Sequence, residues 1–364
     1  MKILQITGMR STKFGGLEKY FLEMAIYLSK RGDTMILQYN EEPLSNEYRA
    51  LLKEYGIGVI VSELNKCSKT NQVLRLHKII KEIEPDVIHF HFGNVASNFF
   101  FLPKLMGVKK CYRSIHSLPF SENKISIFSK IRFWLFALFN DKLVAVSNAI
   151  KKQIEAAIGE NSKTIVHYSG TNINPIQKGE IEKGNNIRIS CIAFHNKVKG
   201  IDVLINALYI LKHKYNFKEF VLVEIGGGND DYKKELENLV DNLKLNKNVQ
   251  FYGLCNNVPE LLSTTDIYVQ PSRYEGIGIA LMEAAVQGLP LIGSNIGGIP
   301  EIISDKENGF LFTPCKSEEL AEKLYLLCSD KELRDKMGAC AKEIIIEKFD
   351  VKKNVELLAE ELYK

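Results

Sequence analysis

Two carboxylates stand eight residues apart in the stretch Arg273-Tyr-Glu-Gly-Ile-Gly-Ile-Ala-Leu-Met-Glu283. Glu275 sits in a glycine-flanked turn. Glu283 sits in a helical run, Ile279 to Val286, whose other residues are all apolar. A helix apolar all round is expected to be buried. A lone carboxylate inside one costs several kcal/mol unless something binds it. No Lys, Arg or His lies within four residues of Glu283. Its partner is therefore expected from a distant part of the fold or from a ligand.

Other residues of chemical interest follow apolar strands. Lys199-Gly200 closes the loop Phe194-His-Asn-Lys-Val-Lys199. A lysine there is either a point charge on a phosphate or an ordinary solvated side chain. Gly226-Gly227-Gly228 follows the run Phe220–Ile225, and Gly15-Gly16 follows the first strand and opens a helix. Each glycine pair is either a tight turn or a place where backbone N–H groups approach an anion. Neither has the G-x-G-x-x-G spacing, which argues against a nicotinamide cofactor. His89, His91 and His116 come at strand ends in the first half. His89 and His91 would share a strand face, but no carboxylate or cysteine at ligand spacing accompanies them, so no metal site is expected. His116 has the side chain suited to polar recognition or proton handling near neutral pH.

Strands alternating with helices must position these groups. The chain has 364 residues, 45% hydrophobic and 25% charged, which suits two globular domains. Alternation over 1–175 predicts one domain with a parallel sheet, and a second series over 187–347 predicts another. A polar stretch at 176–186 reads as the linker, and a last helix at about 348–364 is expected to return to the first domain. In such sheets ligands sit at the carboxyl ends of the strands, here expected in a cleft between the domains. Seven scattered cysteines without a C-x-x-C pair argue against a disulfide framework or zinc site and for a reducing cytoplasm. No apolar run reaches membrane-spanning length, and Met1–Gly8 reads as a strand, not a signal peptide. Residues 1–175 carry 24 Lys and Arg against 15 Asp and Glu, a net +9. That half suits an anionic surface or substrate, or is simply a lysine-rich surface. The segment Ile125–Phe139 is very apolar, has no acid, and contains Lys130, Arg132 and the only Trp. It is either a core helix or one lying in a membrane interface.

The motif Glu275-x7-Glu283, inside Pro271-Ser-Arg-Tyr-Glu-Gly-Ile-Gly, resembles the signature of retaining glycosyltransferases of family 4. The resemblance continues in Gly15-Gly16-Leu-Glu18, Pro85-Asp-Val-Ile-His-Phe-His91, His116, Lys199-Gly200-x-Asp202, Gly226-x-Gly228, Gly297-Gly298-x-x-Glu301 and Asn308-Gly309. It implies the GT-B fold, an α/β architecture of two doubly wound Rossmann-like domains. The first would bind the acceptor and the second the nucleotide-sugar donor.

By resemblance, Gly15, Gly16 and Lys199 would hold the donor diphosphate, with Gly226 and Gly228 close to the donor. Glu283 would accept hydrogen bonds from the ribose. Glu275 and the N–H groups of Gly276, Ile277 and Gly278 would hold the donor sugar and its phosphate. His116 would contact the transferred sugar, and Leu254 and Cys255, in the loop Gly253–Asn256, would frame the base. Glu275, His116 and Lys199 would be the catalytic set. Lys199 and a helix N-terminus would offset charge on the leaving diphosphate. No metal or other cofactor is obligatory in the family. The donor would be a UDP-sugar, with a GDP-sugar as the second choice, and the acceptor a glycan or lipid-linked glycan in surface polysaccharide or glycolipid synthesis. No nucleic acid is implied. Contact with an anionic membrane would run through the first domain, at the inner face of the cell membrane. The family usually places an Arg before the lysine. Phe194-His195-Asn196 has none, and His195 or Lys197 is the expected substitute. A donor-binding subunit without turnover and a nucleotide-sugar epimerase on the same fold are the alternatives.

Overall fold

The computed structural model describes the whole chain except residues 65–67, 93–98, 100, 118–124, 177–185 and 256. It divides into two compact units, Met1–Gly170 with Val351–Lys364, and Thr171–Asp350. Most of the expected linker, 176–186, lies outside the described residues.

The first unit runs β1 (Lys2–Ile6), α1 (Gly16–Lys30), β2 (Thr34–Tyr39), α2 (Asn46–Glu54), β3 (Gly58–Val61), α3 (Lys69–Ile83) and β4 (Val87–Phe90). It continues with α4 (Leu102–Leu105), β5 (Lys110–Ile115), α5 (Ile127–Phe139), β6 (Lys142–Ala145), α6 (Asn148–Ile158) and β7 (Thr164–Val166). All seven strands are parallel, in the order β3-β2-β1-β4-β5-β6-β7. β1 pairs with β2 on one side and β4 on the other, so the winding reverses beside β1. β3 and β7 are edge strands of four and three residues, too short for the sequence pattern to reveal.

The second unit runs β8 (Ile187–Ile192), α7 (Ile201–His213), β9 (Phe220–Ile225), α8 (Asp230–Asn242), β10 (Val249–Gly253), α9 (Val258–Ser263) and β11 (Ile267–Gln270). Then come α10 (Ile279–Val286), β12 (Leu291–Ser294), α11 (Ile299–Ile302), β13 (Gly309–Phe312), α12 (Ser317–Ser329) and α13 (Lys331–Lys348). Its six strands are also parallel, ordered β10-β9-β8-β11-β12-β13. The switch point lies beside β8. The chain ends with α14 (Val351–Leu362), which belongs to the first unit. Its residues Val351, Val355, Leu358, Ala359 and Leu362 complete the core formed by α1 and β2.

In both sheets nearly every central-strand side chain is buried. That explains the continuous apolar runs, because helices cover both faces of a parallel sheet.

Candidate active site

β11 ends in Gln270, and the chain then turns sharply through Pro271–Gly278 into α10. Glu275 lies in this turn. Its Oε2 accepts from Lys199 Nζ at 2.8 Å, Ser272 Oγ at 3.1 Å and Gln270 Nε2 at 3.3 Å. Behind it the chain continues, with Tyr268 OH donating to Gln270 Oε1 and Ser294 Oγ to the Ser272 carbonyl. Gly297 and Gly298 support the turn from below. A Cβ on Gly297 would sit 1.8 Å from the Glu275 carbonyl oxygen, and one on Gly298 2.4 Å from that of Gly276. Glycine is required at both positions by backbone contact alone.

Lys199 comes from the end of β8, one strand over. Asn196 caps the short 3-10 turn Lys197–Lys199, its side chain accepting from the Lys199 N–H. Arg273 ties this loop to the β11 turn. Its N–H donates to the Val198 carbonyl, and its guanidinium grips Asp202 through both nitrogens, at 2.7 and 2.6 Å. Burial alone would raise the Asp202 carboxyl, but Arg273 and Tyr232 hold it below the usual range. This clamp fixes Lys199 relative to Glu275, and the sequence pattern did not reveal it.

Neither expected substitute for the second cation faces the Lys199–Glu275 pair. His195 is 2% exposed, and its Nε2 lies 2.9 Å from Oε2 of Glu224, which is 0% exposed. Lys197 lies on the surface, 3.1 Å from Glu235. His195 instead joins two loops. Its N–H donates to the Gly227 carbonyl, its carbonyl accepts from the Asn229 N–H, and it bridges Gly228. The glycines at 226–228 are explained by this packing. A Cβ on Gly226 would meet the Ala193 carbonyl oxygen at 1.8 Å, and one on Gly228 the Phe194 ring at 2.6 Å. Next to them, Leu254 is exposed and Cys255 half-buried, while Asn256 lies outside the described residues.

α10 is not buried all round, which corrects the first expectation. Leu281, Met282, Ala284, Ala285 and Val286 are buried, while Ile279, Ala280, Glu283 and Gln287 form a half-exposed stripe at helical spacing. Glu283 lies on that stripe, so its carboxylate is not stranded in the core, and it has interactions of its own. Burial holds the Tyr268 hydroxyl well above its ordinary pKa, and Glu283 and Glu275 push it the same way.

In the first unit the polar residues also cluster at strand ends. His89 lies inside β4, and His91 and His116 follow β4 and β5. His91 Nδ1 and His116 Nε2 are 3.3 Å apart, and the His116 ring stacks on Phe92. Burial pushes the imidazole of His89 down to about 3, that of His91 well below its ordinary value, and that of His116 to about 4. All three are therefore neutral at pH 7. At α1, the Gly15 N–H donates to Glu18 Oε2, whose other oxygen accepts from Ser11. That N–H is already satisfied by a carboxylate at the helix N-terminus, a favourable place for one. Among the described residues no group of three His, Cys, Asp or Glu is arranged to hold a metal.

The segment read as core or interface is α5. Only Phe133 and Phe136 are buried. Ile127, Phe128, Ile131, Trp134 and Leu138 form one exposed stripe, with Phe128 81% and Trp134 57% exposed. The core reading does not hold for this face. No helix of the described residues is long and apolar enough to cross a membrane.

Two adjoining family models match nearly the whole chain. Glycosyltransferase Family 4 covers residues 14–174, and Glycosyl transferases group 1 covers 173–344. This chain is a family 4 glycosyltransferase. Relatives agree. An uncharacterized glycosyltransferase of Haemophilus influenzae is 24% identical over 344 residues, 94% of each chain. The Escherichia coli UDP-Gal:alpha-D-GlcNAc-diphosphoundecaprenol alpha-1,3-galactosyltransferase is 23% identical over 92% of this chain and 89% of its own. Anabaena HepE, solved in complex with UDP and glucose, superposes over 100% of both chains with a TM-score of 0.84 at 23% identity. The fold is GT-B.

In this glycosyltransferase the sequence signature and the geometry meet at Glu275 and Lys199. Of the residues that hold them in place, Ser272, Arg273 and Asp202 fall inside the quoted motifs without a role being assigned to them there, and Gln270 only borders one.

Proposed function

We propose that this glycosyltransferase transfers a sugar from a nucleoside diphosphate to an acceptor hydroxyl with retention of anomeric configuration. The observation carrying the reading is the pairing of Lys199 with Glu275 at the carboxyl ends of adjacent strands, β8 and β11. Lys199 would neutralise the leaving diphosphate, together with the N–H groups of Gly276 to Gly278 at the start of α10. Glu275 would hold the sugar hydroxyls and Glu283 the ribose. His116 would touch the transferred sugar, and the leaving phosphate would take the acceptor's proton. A UDP-sugar is the favoured donor, consistent with the names of the Escherichia coli and Anabaena relatives. A glycan or lipid-linked glycan is the favoured acceptor. No metal is required in this scheme.

The exposed stripe of α5 supports peripheral contact with an anionic membrane. At helical spacing Lys130 and Arg132 flank it on either side, and the helix contains no acid. Such an enzyme would work at the inner face of the cell membrane. The free cysteines of the described residues suit that reducing compartment.

The test is incubation with UDP- and GDP-sugars and a panel of glycan acceptors. Nucleotide release with an α-linked product from an α-donor, abolished in Glu275→Ala, is expected. An active Glu275→Ala enzyme overturns the site. Tight donor binding without release by the wild type favours a non-catalytic subunit, and an isomerised free nucleotide sugar favours an epimerase.

A further inference from the structure

His116 ends a line of buried polar groups that begins at the far end of the chain. Tyr363 follows α14, which packs on α1. Its carbonyl accepts from Arg31 at 2.6 Å, and the neighbouring Leu362 carbonyl accepts from Tyr112 OH at 2.5 Å. The Tyr363 ring is thus fixed, and it is 0% exposed. Gln5, in β1, donates from Nε2 to Tyr363 OH at 3.0 Å. Its Oε1 lies 2.7 Å from His91 Nε2. His91 Nδ1 lies 3.3 Å from His116 Nε2. On the other branch, Tyr363 OH lies 2.6 Å from His89 Nδ1, and His89 Nε2 lies 2.9 Å from Ser114 Oγ.

These contacts have one consistent direction. The Gln5 oxygen can only accept, so His91 Nε2 must carry a proton. A neutral imidazole has one N–H, so His91 Nδ1 is an acceptor. The group facing it, His116 Nε2, must then be the donor. The same rule on the other branch has Tyr363 OH, already an acceptor from Gln5, donating to His89 Nδ1, and His89 Nε2 donating to Ser114. Every hydrogen bond is satisfied once, with no clash between two protons or two lone pairs. Burial keeps the rings neutral, because charging one in this pocket would cost far more than in water.

We propose that Tyr363, Gln5 and His91 are positioning residues for His116, forming a directional hydrogen-bond chain that fixes its imidazole as the Nε2–H tautomer with Nδ1 as the acceptor. The role of His116 toward the donor sugar rests on the function proposed above. A His116 Nδ1 lone pair accepts from a sugar hydroxyl and adds no positive charge beside a sugar that becomes positive in the transition state. The opposite tautomer would present an N–H there. The C-terminal segment thereby acts on the chemistry through β1 and β4, without touching substrate.

The test is long-range proton–nitrogen NMR on the full-length protein carrying 15N-histidine, which distinguishes the two neutral tautomers. His116→Gln identifies the His116 signals by their loss. The expected wild-type result at pH 7 is Nε2–H at both His91 and His116. In Tyr363→Phe and Gln5→Met, the His116 signals are expected to shift to a mixture of tautomers. The same variants should lose kcat by roughly 10- to 100-fold, the scale of a misplaced catalytic group, with donor KM within about twofold of wild type. His116 as Nδ1–H or imidazolium in the wild type overturns the proposal. So does an unchanged tautomer in a folded Tyr363→Phe or Gln5→Met protein. If one variant fails to fold, the other and the wild-type spectrum still decide. A fixed tautomer combined with a fully active His116→Gln enzyme would leave the chain standing and remove the assigned role of His116.

Discussion

Lys199 Nζ lies 2.8 Å from Glu275 Oε2, and that one oxygen also accepts from Ser272 and Gln270. In the proposed function each member of this pair binds the donor, so donor binding would exchange partners: phosphate would take the ammonium, and sugar hydroxyls would take the carboxylate. The pair keeps both side chains in position and avoids an unpaired charge in a partly closed site.

The first prediction separates function from stability. Lys199 is 25% exposed and Glu275 13%. A partly exposed ion pair contributes little to folding, about 1 kcal/mol or less. In the proposed transition state the same lysine would face developing charge, where losing one such donor costs about 100- to 1,000-fold in kcat. Lys199→Ala should therefore lose turnover on that scale while its midpoint in urea stays close to wild type. Steady-state kinetics and a denaturation curve check both halves. A large stability loss with modest kinetic loss would make the pair structural.

His195 and Glu224 should behave in the opposite way. Their 2.9 Å contact is fully buried, and burial raises the Glu224 carboxyl while His195 partly offsets it. Truncating one member leaves the other polar and unpaired in the core, at a cost of about 3–5 kcal/mol. Replacing both by apolar residues removes the desolvation penalty as well. Glu224→Leu and His195→Leu should each unfold at markedly lower urea, and the double variant combining them should recover much of the loss. Additive effects in that cycle would refute the coupling.

How far the sequence carried these conclusions depends on the kind of signal. Strand–glycine–helix alternation was readable because β1, β4, β8, β9 and β11 are central, apolar and followed by glycine or polar loops. β3, β7 and β13 were not, because four residues or fewer at or near an edge carry too little pattern. Glu275 and Lys199 were found by motif. Glu283 stands out in the sequence as a carboxylate in an apolar helix, but the helix face that carries it is not buried. The spacing of Ile279, Ala280, Glu283 and Gln287 defines an open stripe, which apolar content alone conceals. The sequence makes His195 an expected substitute for the missing Arg, because it lies in the loop that ends at Lys199. Only contact with Glu224, 29 residues away, turns it inward. The same applies to Gln5 and Tyr363, whose partnership spans 358 positions.

The buried histidines give a pH prediction. Burial depresses His89 to about 3 and holds His91 well below its ordinary value, with neighbouring His116, His167 and Arg113 adding to the effect. The unfolded chain binds these protons near the ordinary value of 6.5. A depressed imidazole contributes stability that is complete above 6.5 and is lost as pH falls from there toward its folded value. Unfolding at pH 5 should therefore take up about two more protons from this pair than at pH 8. Calorimetry in buffers of different ionisation enthalpy measures that uptake. His89→Gln should reduce it by about one, and an unchanged uptake would mean that the rings are already charged in the folded protein.

The exposed face of α5 gives the last prediction. Exposed apolar side chains in one stripe, on a helix of net charge +2 with no acid, have nothing to gain from water. Inserting them into an acyl boundary removes apolar area at about 25 cal/mol per Å2, and Lys130 and Arg132 then meet anionic headgroups. Wild-type protein should sediment with vesicles rich in anionic lipid, and less so as salt is raised. Phe128→Ser with Trp134→Ser should lower the bound fraction at every salt concentration. Lys130→Gln with Arg132→Gln should lower it mainly at low salt. None of the four should shift the thermal midpoint much, because these side chains already face solvent. Wild-type protein that never sediments would remove the membrane from the proposal, and concentration-dependent self-association lost in Phe128→Ser would assign the face to a second copy of the chain.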